Sequence, residues 1–110
     1  SALTEAQARE MGENAFQAIN SGDYAAWTRD WSDAMKAAIP AKDFQAWREQ
    51  LVQTQGQYQS LLAIELQPGK DPRFIRWIYT LQFEKGKGHI TFSLLQDGSK
   101  IDGVFSEAIQ

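Results

Sequence analysis

Gln55-Gly56-Gln57-Tyr58-Gln59-Ser60-Leu61-Leu62-Ala63-Ile64-Glu65-Leu66 is the stretch in which the chain changes its period. Before Gly56, apolar residues recur every three or four positions, which is the spacing of one helix face. After it, Tyr58, Leu62, Ile64 and Leu66 alternate with Gln57, Gln59 and Glu65, the pattern of a strand with one buried side. Helices come first and strands second, and the apolar side of every strand needs cover. The order predicts an α+β fold: three N-terminal helices packed on one face of a curled four-stranded antiparallel meander sheet.

Working back from Gly56, Phe44, Trp47 and Leu51 mark a third helix over Lys42–Thr54, begun after Pro40 and stopped by the glycine. Tyr24, Trp27, Trp31, Met35 and Ala38 form a second stripe, and Ser32-Asp33 is able to restart a helix midway. One bent helix or two short ones is expected there. Thr4 and Gln7 form a capping box for a first helix over Glu5–Asn20, whose face carries Leu3, Ala8, Met11, Ala15, Phe16 and Ile19. In the corner Asn20-Ser21-Gly22-Asp23, Gly22 suits the left-handed turn after a helix and Asp23 suits the cap of the next.

Working forward, Ile75, Trp77, Tyr79, Leu81 and Phe83 form the inward side of a second strand, and Ile90, Phe92 and Leu94 that of a third. The last strand sets Ile101, Gly103 and Phe105 opposite Lys100, Asp102 and Val104. Gln67–Pro72, Gly86-Lys87-Gly88 and Asp97-Gly98-Ser99 supply the turn formers between them.

The 110 residues suit one domain, 1–110, which at this mass buries about two-thirds of its unfolded surface. A net charge of −3, with scattered Lys and Arg, argues against a nucleic-acid partner. The absence of cysteine excludes disulfides, thiol catalysis and zinc–sulfur sites. No metal and no cofactor are expected. No run of about 18 apolar residues is present, so no transmembrane segment is expected. The chain begins Ser1-Ala2. The expectation is an extracytoplasmic protein, secreted or lipid-anchored, from which a targeting segment has been removed.

Asn20-Ser21-Gly22-Asp23-Tyr24, Trp31 with Met35, Gly56-Gln57-Tyr58, Phe83-Glu84-Lys85-Gly86 and Lys100-Ile101-Asp102-Gly103 together resemble the nuclear transport factor 2-like superfamily, with its cystatin-like cone. The likeness spans nearly the whole chain and is strongest to small bacterial members of unknown function. It implies a curled sheet whose concave side, roofed by helices, encloses a pocket. Enzymes, apolar-ligand binders and dimerisation modules share that frame, so the resemblance carries fold rather than chemistry.

Trp27, Trp31, Trp47, Trp77 and Tyr79 fall on core-facing sides and are the candidate contacts for a small apolar or amphipathic ligand. Rings at these spacings also fill cores. His89, the only histidine, alternates away from Ile90 and Phe92 and should project from the outer face. Asp30, beside Trp31, is the carboxylate nearest the expected cavity wall, with Tyr58 or Tyr79 as oxyanion donor. The leading reading is a non-enzymatic binding or association module. The alternative is a cofactor-free isomerase or dehydratase with Asp30 as base, and the third a structural accessory domain of a cell-envelope protein. Leu61, Ala63, Phe74, Ile78 and Val104 are expected on the outer sheet face, where Leu61, Phe74 and Ile78 would join a homodimer. Lys85-Gly86-Lys87-Gly88 reads as a hairpin loop rather than a phosphate cradle.

Overall fold

A computed structural model describes residues 3–96 and 100–109. The helices are α1 (Glu5–Ser21), α2 (Tyr24–Trp27), α3 (Asp33–Ala38) and α4 (Ala41–Gln55); the strands are β1 (Tyr58–Pro68), β2 (Phe74–Phe83), β3 (Lys87–Leu95) and β4 (Ile101–Ile109). The strands form one curled, unclosed antiparallel sheet in the order β1-β2-β3-β4. The middle stripe of the helical half is two short helices, because Ser32 leaves the helix and caps α3 by accepting from Met35 N at 3.2 Å. The turn expected at Asp97-Gly98-Ser99 lies outside the described residues.

The corner after α1 is built as its sequence predicts. Thr4 and Gln7 close the capping box at one end, and at the other Gly22 adopts φ 75° while its N–H donates to Ala18 O. Asn20 then does what a neighbouring strand would do. Its Nδ2 donates to Tyr58 O and its Oδ1 accepts from Tyr58 N, both at 2.8 Å, fastening the end of α1 to the start of β1. Arg48 of α4 donates to Ile19 O at 2.6 Å and to Asn20 O at 2.7 Å. These are carbonyls that a helix end leaves unpaired, and the guanidinium sits at the negative end of the helix dipole.

The core lies between α1 and the inner face of the sheet. Phe16 packs edge-on against Tyr79 at 5.0 Å and lies 5.7 Å from both Phe92 and Tyr58. A side chain of this size, fully buried, contributes roughly 2–3 kcal/mol. Tyr79 carries its hydroxyl into this apolar layer and satisfies it by donating to Ala8 O at 2.6 Å.

Two strands depart from simple alternation. In β1, Tyr58 pairs with Phe83 but Ser60 with Gln82, and Leu61 pairs with Leu81 but Ala63 with Thr80, so Gln59 and Leu62 are extra residues. Each bulge resets the side-chain alternation. Leu61, expected on the outer face, therefore faces inward and packs against the core, while Leu62 is exposed. In β4, Leu94 pairs with Ile101 but Ser93 with Gly103, which makes Asp102 the extra residue. Val104 consequently points inward and Phe105 outward, the reverse of the expected placement. Leu66 does share the inner face, opposite Trp77, yet half of it remains open to solvent.

Candidate functional site

A cleft of about 350 Å³ opens between the helices and β4, at the edge of the sheet that α1 leaves uncovered. Its walls are Trp27, Trp31, Ile39, Phe44, Trp47 and Val104, with Asp43 and Ser106 as polar members. Trp27 ends α2, and Trp31 follows a turn that bridges to Ile101: Ile101 N donates to Asp30 O at 2.6 Å and Ser32 N to Ile101 O at 2.9 Å. Phe44 and Trp47, three apart on α4, present neighbouring side chains. Val104 and Ser106 alternate inward from β4.

The rings support one another at several tilts. Trp27 stacks on Phe44 (5.4 Å, 23°), lies 5.1 Å from Trp47 at 33°, and meets Trp31 at 6.2 Å and 66°. Such pairs contribute roughly 0.5–1.5 kcal/mol each beyond area burial, which holds the wall in shape. The Trp47 Nε1–H donates to Ser106 Oγ at 3.3 Å. Trp31 Nε1 is buried without a hydrogen-bond partner among the described residues. Asp43 stands in the first turn of α4, where a carboxylate complements the helix dipole.

Of the five residues picked from sequence as ligand contacts, Trp27, Trp31 and Trp47 meet at this cleft. Trp77 and Tyr79 lie elsewhere, on β2 under the helices, with 4% and 0% exposure. Phe44, Ile39, Asp43, Val104 and Ser106 were not singled out as site residues. Phe44 was signalled by its spacing to Trp47; Val104 and Ser106 had no local signal, because the bulge at Asp102 orients them.

Asp30 borders a separate surface hollow with Leu3, Ala6, Gln7, Glu10 and Met11. Its carboxylate accepts from Arg29 Nη2 at 2.9 Å and Nε at 3.1 Å, and Arg29 also bridges to Glu10 at 2.8 Å. Glu10 first, then Asp30, push the Arg29 pKa up and hold it charged. The two candidate oxyanion donors are engaged. Tyr79 donates to Ala8 O, and Tyr58 donates to Glu13 Oε2 at 3.1 Å. Burial pushes both phenols above their ordinary value, helped at Tyr79 by the charge of Asp30 and at Tyr58 by that of Glu13.

His89 projects from the outer face, 3.5 Å from Glu107, and Lys85-Gly86 joins β2 to β3. On that face Thr91 pairs with Ile78 on one side and Phe105 on the other, and Phe74 lies opposite Leu95. Phe105 is 62% exposed. Among the described residues no group of His, Cys, Asp and Glu side chains is arranged to hold a metal, and no helix is long and apolar enough to cross a membrane.

Residues 12–103 match a family described as "Protein of unknown function (DUF3887)". Neither a curated protein nor a solved structure matches the chain.

Proposed function

Since the chain belongs to the DUF3887 family of proteins of unknown function, we propose from its geometry that it is a non-enzymatic binding module of the nuclear transport factor 2-like type, holding a small apolar or amphipathic ligand between its helices and β4. The observation that carries this reading is the cleft itself: about 350 Å³, walled by three of the four tryptophans and within the ~300–1,000 Å³ range of ligand sites. Trp27, Trp31 and Phe44 belong to the core, and the open part of the cleft lies where Trp47, Ile39 and Val104 remain only half-buried. The engaged phenols, and the place of Asp30 on a separate hollow outside the cleft, support binding over proton transfer, since a base must reach the proton it removes.

Native mass spectrometry of freshly purified protein, followed by denaturation of the same sample, tests this. The expected result is a bound mass released on unfolding and lost in Val104→Trp, which fills the cleft. A protein that carries no adduct, and takes none up from a lipid extract, refutes the reading.

A second reading, association through the outer face, is favoured by the row Ile78-Thr91-Phe105 and the exposure of Phe105. Its partner is a second copy of the chain, and an extracytoplasmic home fits either role. The same spectra report it: a dimer abolished by Ile78→Arg supports it, and a dimer indifferent to that change removes it.

A further inference from the structure

This inference rests on the cleft reading above and names the chemistry the cleft takes. We infer that its occupant is an amphipathic cation: an alkylated ammonium head, carried on an apolar chain, held by the apolar lining, Trp47 foremost, and by the Asp43 carboxylate at its rim. Asp43 is the only charged side chain among the described lining residues, and it enters no ion pair among them. It is therefore free to serve as counter-ion to something that enters the cleft. Trp47, the one ring of the lining that is half-buried rather than closed into the core, acts in the same sense, because an aromatic face is the negative part of the quadrupole and attracts a cation.

The donors point the same way. A carboxylate or phosphate head needs several N–H or O–H groups, and this cleft is poor in them. The Trp47 N–H is already committed to Ser106, and Trp31 Nε1 is shut off from solvent. A bound anion would also face the charge of Asp43. A primary ammonium has the opposite difficulty: it is strongly hydrated and has three protons to place, against one carboxylate and one hydroxyl here. An alkylated ammonium carries few or no N–H groups and loses its hydration cheaply. It is the head group that matches an apolar lining with one negative charge and few free donors.

Three probes with one chain length separate the possibilities: octyltrimethylammonium, 1-octanol and octanoate, titrated by calorimetry and by tryptophan fluorescence at concentrations where each is monomeric. The expected order of affinity is cation, then alcohol, then anion. Asp43→Asn should weaken the cation about fivefold relative to the alcohol, the size expected of a solvent-exposed charge pair, and added salt should weaken the cation alone. Asp43→Glu, which keeps the charge, should retain the preference and guards against a loss caused only by the altered helix start. Octanoate binding as well as the cation, or a cation-to-alcohol ratio unchanged in Asp43→Asn, overturns the inference while leaving the cleft reading intact. Failure of all three probes to bind removes both.

Discussion

Gly12→Ala is a substitution that helix propensity alone would recommend and that the structure forbids. Gly12 lies inside α1, where alanine is favoured over glycine by about 1 kcal/mol. A Cβ there would stand 2.5 Å from Tyr79 Cε1 and 3.0 Å from Phe16 Cε2, about 1 Å inside ordinary carbon–carbon contact at the first. The tyrosine ring has nowhere to retreat. Its hydroxyl is tied to Ala8 O, Phe16 abuts it at 5.0 Å and Phe92 at 5.1 Å. Overpacking of a rigid core costs about 1–3 kcal/mol, and the upper end applies to a ring held on three sides. After the propensity gain, the net loss is about 2 kcal/mol, or a fall in Tm of roughly 8 °C for a chain of this size. Urea unfolding followed by far-ultraviolet circular dichroism measures it. In a Tyr79→Leu background, where the opposing ring is gone, the same Gly12→Ala change should become stabilising by up to about 1 kcal/mol. A stabilising Gly12→Ala in the natural sequence, or an equal loss in both backgrounds, refutes the argument.

Asn20→Ala should cost about 2–3 kcal/mol in urea unfolding, because it removes both hydrogen bonds to the Tyr58 backbone and strands an N–H and a carbonyl at the α1–β1 junction; a loss below about 0.5 kcal/mol would mean that β1 is anchored by other contacts. Alkaline titration of phenolate absorbance should find Tyr58 and Tyr79 un-ionised until the protein unfolds. Their folded pKa values are raised above the ordinary 10.0, so above about pH 10 the unfolded chain loses protons that the folded one keeps, and stability, fully present below that pH, falls as pH rises. Smooth ionisation of all the tyrosines near pH 10 without unfolding would contradict their burial.

The elements were legible because their signals are local. The Thr4–Gln7 capping box, the Gly22 and Gly56 stops and the two hydrophobic periods each act within one turn or one strand, so the helix limits read from sequence fall within a residue of those observed for α1 and α4. The ligand wall was legible in part for the same reason. Trp27 and Trp47 lie on helical faces that converge, and Trp31 joins them from the segment between α2 and α3 that bridges to Ile101. Trp77 and Tyr79 have the same inward orientation yet lie away from the cleft, because orientation does not tell whether the covering helix lies flat on a strand. Over β2 the small residues Ala8, Gly12 and Ala15 let α1 settle close to the sheet; over β4 the cover is the short α3 and the Trp47 side of α4, with the cleft between them and the strand.

What the chain conceals most is the bulge at Asp102, and the site depends on it. Strict alternation from Ile101 would turn Gly103 and Phe105 toward α4 and send Val104 and Ser106 to solvent, placing a benzyl group where the cleft now opens. The extra residue exchanges them. Ile101 is held against the Trp31 segment by two backbone hydrogen bonds, and Ser32 donates to the Asp102 carboxylate at 2.7 Å, so the bulged residue is gripped from the cap of α3. That grip joins residues 70 positions apart, which is why no local pattern announces it. One inserted residue thus leaves a cleft between Val104 and Trp47 on one side of the sheet and exposes Phe105 on the other. Cleft and outer patch are two consequences of the same register shift, so any change that irons out the bulge should alter ligand binding and association together.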